Sequence, residues 1–177
     1  MKQQENNFNY IPSIHWGVWE KTLPDFNREG LVNQIYKLRD IDLGTKISNK
    51  GGYHSSPFQK HPQFQPLIEL INNHTNSLFK TSTINIQEIW ANISTYTNYN
   101  IPHHHSPDNN PMKLSGILYL KTPKDGGNIQ FIPPFNMAPP VIITPKELQI
   151  LIFPSVLVHY VEPNLSQEDR ISLAFNF

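Results

Sequence analysis

The segment Tyr99-Asn-Ile-Pro-His-His-His105 places three of the chain's eight histidines side by side. A further histidine, His159, interrupts the otherwise apolar run Val156-Leu-Val-His-Tyr-Val161, and Arg170 follows it in a second strand-like segment. Histidines that are distant in sequence but lie on extended segments can converge when the segments pair in a sheet. The pattern therefore predicts a metal site on a β-rich scaffold.

The spacing of the histidines predicts which of them bind the metal. Alternate side chains of a strand point to one side, so His103 and His105 can reach the same ion while His104 points away. His159 would add a third ligand from another strand. A carboxylate often completes such a site, so Asp108 stays an alternative third ligand. Two interpretations without a metal also stay open: His159 is a histidine of the apolar core, and His103–His105 belong to a solvated polar loop.

The last strand-like segment predicts an anion site beside the metal. Arg170 and Ser172 share one face of this segment, and burial of an arginine is costly unless an anion accompanies it. A dicarboxylate cosubstrate would provide that anion, through a bidentate salt bridge with Arg170 and a hydrogen bond from Ser172. The alternative is an exposed arginine at the start of a strand.

The rest of the chain predicts a mainly β, α+β fold. Helical spacing of apolar residues predicts helices over 26–39, with Asp25 as N-cap, and over 64–80. Residues 1–13 read as a loose arm, and 40–60 as polar turns. Period-two patterns and turn signals predict the strands Ile14–Glu20, Ile84–Thr97, Leu114–Lys121, Asn128–Ile132, Val141–Thr144, Gln149–Phe153, Val156–Val161 and Arg170–Phe177.

This order of elements predicts one domain over 1–177. Its architecture would be a jelly roll, cupin-like, or double-stranded β-helix over 83–177, with the N-terminal helices of 1–82 packed on one face.

Composition narrows the classes of function. The formal net charge is zero and 16% of residues are charged, which argues against a nucleic-acid partner. The absence of cysteine excludes thiolate ligands, so a metal must be held by His, Asp, Glu or backbone oxygen, which suits iron, manganese or zinc. We find no apolar run of membrane-spanning length and no signal-peptide core, so we expect no membrane association and a cytoplasmic location.

From about residue 46 onward the chain resembles the Fe(II)/2-oxoglutarate oxygenase superfamily, and in particular small, mostly uncharacterised oxygenases of marine bacteria and phages. The matching stretches are Ser48-Asn-Lys-Gly-Gly-Tyr-His-Ser55, Trp90-Ala-Asn92, Tyr99-Asn-Ile-Pro-His-His-His105, Ser115-Gly-Ile-Leu-Tyr119, Gly127-Asn-Ile, Phe153-Pro-Ser-Val-Leu-Val-His159 and Arg170-Ile-Ser-Leu-Ala-Phe-Asn176.

The resemblance implies a 2-oxoglutarate-dependent dioxygenase with Fe(II) and 2-oxoglutarate as cofactors. It would couple decarboxylation of 2-oxoglutarate to oxidation of an aliphatic C–H bond, as a hydroxylase of a small-molecule or peptidyl substrate such as proline, with molecular oxygen as co-reactant. A homodimer is left open. By position, the resemblance assigns the residues as follows: His103, His105 and His159 to the metal; Arg170, Ser172, Tyr119 and Asn92 to the cosubstrate pocket.

Two expectations concern the loops and the alternatives. Residues 106–113 and 133–140 would contact the substrate, because specificity is commonly carried on loops. The alternatives from other classes are a non-catalytic cupin-like metal-binding module and a three-histidine metal enzyme that does not use 2-oxoglutarate.

Overall fold

The computed structural model describes residues 9–12, 17–106, 108, 113–133 and 139–177. Within these ranges the chain forms two antiparallel sheets and two α-helices, α1 (Arg28–Ile41) and α2 (Gln65–Phe79), the second preceded by a 3-10 turn at Pro62–Phe64. The strands are β1 (Asn9–Pro12), β2 (Gly17–Thr22), β3 (Asn49–Lys50), β4 (Tyr53–His54), β5 (Glu88–Ser94), β6 (Tyr99–His103), β7 (Leu114–Lys121), β8 (Ile129–Phe131), β9 (Val141–Ile143), β10 (Gln149–Pro154), β11 (His159–Val161) and β12 (Arg170–Asn176).

The chain crosses between the sheets in a regular way. The larger sheet has the order β1-β2-β10-β7-β12-β5-β4, and the smaller has β3-β6-β11-β8-β9. From β5 to β12 the chain therefore visits the larger sheet with β5, β7, β10 and β12, and the smaller with β6, β8, β9 and β11. This winding of two facing sheets is a double-stranded β-helix, which confirms the predicted fold class.

The two helices cover the outer face of the larger sheet. Buried side chains of α1 (Leu31, Ile35) and α2 (Leu67, Ile71) pack in one cluster with apolar residues of β5, β7, β10 and β12. At roughly 2 kcal/mol for each fully buried aliphatic side chain, this layer is a main source of stability. The predicted packing of helices on one face is confirmed.

A second apolar cluster lies between the two sheets and forms the floor of the β-helix. It includes Ile117, Phe131 and Phe153. In the larger sheet, Gly116 allows close packing, since a Cβ there would meet the ring of Phe175 and lie 2.8 Å from the Leu151 carbonyl oxygen. The sheet therefore needs glycine at this position.

Several predicted boundaries were wrong. Helix α1 starts later than predicted, and its N-cap is Asn27, not Asp25; the Asn27 side chain accepts a hydrogen bond from the Gly30 backbone N–H at 3.3 Å. Part of the predicted loose arm forms β1, and the polar stretch 40–60 contains β3 and β4.

The strand expected at Val156–Val161 starts only at His159, and the one expected at Ile84–Thr97 covers only Glu88–Ser94. Of the strand expected at Ile14–Glu20, the part before Gly17 lies outside the described residues, as does most of the two loops expected to contact the substrate. Among the described helices, none has the length and apolar character needed to span a membrane.

Candidate active site

Three histidine side chains converge at one end of the β-helix. His103 ends β6, His159 begins β11, and the two are paired across these strands. His105 lies beyond the end of β6, in a bend that is held by a 2.8 Å hydrogen bond from its backbone N–H to the Ser155 carbonyl. One possible ligand atom from each of the three lies within 4.8 Å of the others, so the cluster could hold a metal ion.

The backbone fixes the tautomer of two of these rings. Nδ1 of His103 lies 2.7 Å from the Ile101 carbonyl oxygen, and Nδ1 of His159 lies 3.0 Å from the Leu157 carbonyl oxygen. A carbonyl only accepts, so both Nδ1 atoms carry the proton and both Nε2 atoms keep a lone pair. Such an outer hydrogen bond is the usual support of a metal-binding histidine. In this structure Nε2 of His103 lies 3.3 Å from Ser48 Oγ.

The third ring has an unsatisfied nitrogen. His105 Nδ1 is buried and has no hydrogen-bond partner among the described residues. Burial, followed by the nearby His103, lowers the pKa of His105 to about 3, and burial also holds the pKa of His159 well below its usual value. Neutral imidazoles with free lone pairs are the donor set that iron, manganese and zinc accept, so the residues present fit a divalent metal.

The alternative ligand Asp108 is placed apart from this cluster. Its carboxylate accepts hydrogen bonds from Ser106 Oγ at 2.9 Å and from Lys113 Nζ at 2.7 Å. The structure therefore brings the three histidines together and leaves Asp108 in an ion pair near the surface.

A cavity of about 610 Å³ opens beside the histidines. Its wall includes the inward faces of β5 and β12, where alternate residues point into the cavity as the period-two pattern indicates. Tyr119 and Asn92 line it, together with Arg170 and Ser172.

Three of these side chains form a row across adjacent strands. Ser172 on β12 is paired with Asn92 on β5 and with Tyr119 on β7. Tyr119 is 2% exposed and its hydroxyl has no hydrogen-bond partner among the described residues. Burial raises the pKa of Tyr119, so the phenol stays protonated and can donate. An acceptor bound in the cavity would satisfy it.

Arg170 lies in the neighbouring row and is almost fully buried. It is 4% exposed, and burial lowers the pKa of its guanidinium, which nevertheless stays charged. One of its terminal nitrogens donates to the carbonyls of Gly126, Gly127 and Glu162, and the other donates to Ser94 Oγ at 3.2 Å.

Within the described part of the chain, every hydrogen-bond partner of this cation is an uncharged acceptor. No ion pair within the described part of the chain involves Arg170, which is an unfavourable situation for a buried charge. The contacts also limit the bidentate salt bridge expected from the sequence, because the carbonyls already engage one of the two terminal nitrogens. The Nε–H has no partner among the described residues.

Three further residues of the cavity wall were missed at the sequence level. His54 stacks on Trp90, with ring centroids 5.5 Å apart and planes 17° from parallel, and the rings of Trp90 and His105 meet edge to face with centroids 5.3 Å apart. Glu88 lies next to them on β5 and accepts from Asn176 at 3.3 Å. The sequence feature that could have identified these residues is their position on the polar face of β5 or within the Ser48–Ser55 stretch.

Comparison with known proteins agrees with this geometry. Residues 133–176 match the family model described as "Putative 2OG-Fe(II) oxygenase". This match includes His159 and Arg170 and begins after the other two histidines of the cluster, His103 and His105. No curated protein matches the chain.

Solved structures resemble the chain over most of its length. A prolyl-4-hydroxylase from Pseudomonas putida has a TM-score of 0.67 and 15% identity, and the match covers 91% of each chain. The viral collagen prolyl hydroxylase of Paramecium bursaria Chlorella virus-1 has a TM-score of 0.64 and 17% identity, over 90% of this chain and 94% of that one. The α-ketoglutarate-dependent carbocyclase SnoK of nogalamycin biosynthesis has a TM-score of 0.71 and 12% identity, over 90% and 78%.

These identities are low, so the structural likeness shows the fold. Together with the family match it confirms the predicted resemblance to the 2-oxoglutarate and iron(II)-dependent oxygenases. The predicted enzyme class and the cofactors Fe(II) and 2-oxoglutarate are confirmed at the level of that match, and this class uses a substrate together with molecular oxygen.

Proposed function

We propose that His103, His105 and His159 hold iron(II) in this chain, and that Arg170 and the row of Asn92, Ser172 and Tyr119 bind 2-oxoglutarate. One observation carries the proposal: three neutral, converging imidazoles and a buried arginine that forms no ion pair within the described part of the chain line the same cavity. A dianion that reaches from the metal to the arginine would meet both needs.

Donors on neighbouring strands support a position for the distal carboxylate of the cosubstrate. The Tyr119 hydroxyl and the Ser172 hydroxyl are donors on adjacent strands, and the Arg170 Nε–H adds a charged donor in the next row. A distal carboxylate bound there would satisfy the orphan hydroxyl of Tyr119. Bound iron(II) would supply the activation of molecular oxygen that an aliphatic C–H oxidation requires.

A third histidine changes the charge of the centre. Three neutral imidazoles leave the full double charge on the ion, whereas a carboxylate ligand would cancel part of it. The dianionic cosubstrate then becomes the main source of neutralising charge, together with the dry walls that strengthen the attraction. We therefore expect metal and 2-oxoglutarate to bind this chain with strong mutual cooperativity.

The proposed reaction is hydroxylation of an aliphatic carbon on a small-molecule or peptidyl substrate. Support comes from the fold, which the chain shares with prolyl hydroxylases and with an enzyme of nogalamycin biosynthesis. The substrate-contacting roles of residues 106–113 and 133–140, a cytoplasmic location, a homodimer and the absence of a nucleic-acid partner remain predictions, as does the division into one domain over 1–177.

The test is an anaerobic titration with Fe(II) followed by 2-oxoglutarate, observed through the metal-to-ligand charge-transfer band. We expect a band for the wild-type chain, and about tenfold weaker 2-oxoglutarate binding for Ser172→Ala, which loses a charge-assisted hydrogen bond. Ser82→Ala removes an exposed serine on the loop after α2 and serves as the matched control.

Other outcomes would favour the alternatives. Iron binding without a 2-oxoglutarate band, and with no effect of Arg170→Lys, would indicate a three-histidine enzyme of another kind. Failure to bind any divalent metal would indicate a non-catalytic cupin-like module.

A further inference from the structure

The cavity carries opposite charges at its two ends. On β5 and β12 the paired rows run from Ser94–Arg170, through Asn92–Ser172 and Trp90–Ala174, to Glu88–Asn176. At a rise of about 3.3 Å per residue, the row of Glu88 lies roughly 20 Å from the row of Arg170. Glu88 is the one acidic side chain among the described residues that line the cavity.

The proposed cosubstrate cannot reach the acidic end. Its four C–C bonds, each about 1.5 Å long, extend over at most about 6 Å. The row of Trp90 already lies roughly 13 Å along the strands from Arg170. The ring centroids of Trp90 and His105 lie 5.3 Å apart, and the side chains of Arg170 and of the histidines line the same cavity, so 2-oxoglutarate would lie between these side chains. The space at Glu88 is therefore left for the substrate that is oxidised.

The chemistry at this end favours a cation. Glu88 accepts one hydrogen bond, from Asn176, and forms no ion pair within the described parts of the chain. Beside it, Trp90 offers an aromatic surface that is itself stacked on His54. A carboxylate next to an indole is a favourable setting for a protonated amine, through a charge-assisted hydrogen bond and a cation–π contact.

We infer that the prime substrate carries a protonated amino group, which pairs with Glu88 against Trp90 and so directs a neighbouring aliphatic carbon toward the histidine cluster. The inference rests on the proposed function, because it assigns the end of the cavity that 2-oxoglutarate leaves free. The amine is either a free small molecule or a lysyl side chain of a peptide, and both would present the same cationic nitrogen.

The experiment uses the full chain loaded with Zn(II) and 2-oxoglutarate, in which no turnover occurs, and measures dissociation constants by ligand-observed NMR. Two matched pairs of probes are titrated: pentylamine against pentanol, and Nα-acetyl-lysine N-methylamide against its Nε-acetylated form. Because Glu88 is exposed, we expect the charged member of a pair to bind about threefold more tightly than the neutral one, as an exposed ion pair provides. Tighter binding of pentylamine identifies a free amine, and tighter binding of the lysyl probe identifies a peptide.

Variants assign the preference to the proposed residue. Glu88→Gln keeps an acceptor for Asn176 and should abolish the preference for the charged probe, whereas Glu69→Gln, on the exposed side of α2, should keep it. Equal binding of charged and neutral probes, or a preference that survives Glu88→Gln, overturns the inference. Melting temperatures of both variants verify that they are folded.

Calorimetric titration of 2-oxoglutarate in the same samples separates the two proposals. If 2-oxoglutarate binds and the amine preference is absent, only the substrate inference fails. If the amine preference depends on Glu88 and 2-oxoglutarate does not bind, the proposed cosubstrate fails while the cationic subsite stands.

Discussion

Acid should destabilise the metal-free protein through its buried histidines, and His105 gives the clearest measure. Burial, then the repulsion from His103, lowers its pKa from 6.5 to about 3 in the folded chain. Between these two pH values the unfolded chain binds a proton that the folded chain does not, so the free energy of unfolding falls as pH falls from 6.5. The loss is complete only near pH 3.

The size of the effect follows from the two pKa values. For a group that titrates at 6.5 when unfolded and at about 3 when folded, lowering the pH from about 7.5 to about 5.5 removes about 1.4 kcal/mol of stability. His159 shifts in the same direction, since burial, then His105 and His103, lower its pKa. The full pH dependence should therefore exceed the contribution of His105 alone.

The assay is urea denaturation of the chelator-treated protein at a series of pH values, for the wild type and for His105→Gln. The variant loses one titrating group and also relieves the repulsion on His159, so its free energy of unfolding should depend less steeply on pH, with His105 accounting for up to about one proton of the difference. The two proteins are compared by the slope of the free energy of unfolding against pH, so the constant cost of burying the glutamine amide does not affect the result. If the wild type and His105→Gln show parallel pH dependence, a buried, neutral His105 is refuted.

Three other predictions concern stability and cosubstrate binding. Ile35→Ala on α1 should cost about 2–5 kcal/mol in urea denaturation because the side chain is 0% exposed, whereas Ile41→Ala, at 84% exposed on the same helix, should change the value by less than about 0.5 kcal/mol. Gly116→Ala should lower the stability by about 1–3 kcal/mol, since a methyl group would overlap the ring of Phe175; an unchanged melting temperature would contradict this packing. Tyr119→Phe should stabilise the cofactor-free chain by about 1 kcal/mol, because it removes an unsatisfied buried hydroxyl, and should weaken 2-oxoglutarate binding in calorimetry. A variant whose stability and affinity for 2-oxoglutarate both increase, or both decrease, would contradict its proposed role.

Period-two spacing made much of the β-helix predictable from sequence. Along β12 the alternation of Arg170 and Ser172 with the apolar Ile171 and Leu173 assigned one face to the cavity and the other to the helices, and the structure agrees. Helix ends were less predictable, because any short polar residue can cap. Asn27 takes that place two residues after the predicted Asp25, in a left-handed conformation that asparagine tolerates.

Contacts that depend on distant backbone could not be predicted. The carbonyls of Gly126 and Glu162 that surround Arg170 come from two loops whose approach is set by the whole winding. His54 likewise enters the cavity through a two-residue strand that no periodic pattern reveals. Local sequence encodes which face of a strand a residue occupies, whereas the partners across the cavity arise from topology.

The three histidines differ in how the chain holds them, and this difference bears on His105 as the proposed third ligand. The rings of His103 and His159 are each fixed by a carbonyl two residues earlier in their own segment, so their tautomers follow from the local backbone. His105 lies past the strand end, is fixed through its backbone to Ser155, and has no such partner for its ring. Its ring is instead packed among the rings of Trp90, Phe153 and His159. Ring packing, and not a carbonyl of its own segment, therefore sets the direction of the proposed third ligand, at a position where metal-dependent oxygenases often place a carboxylate.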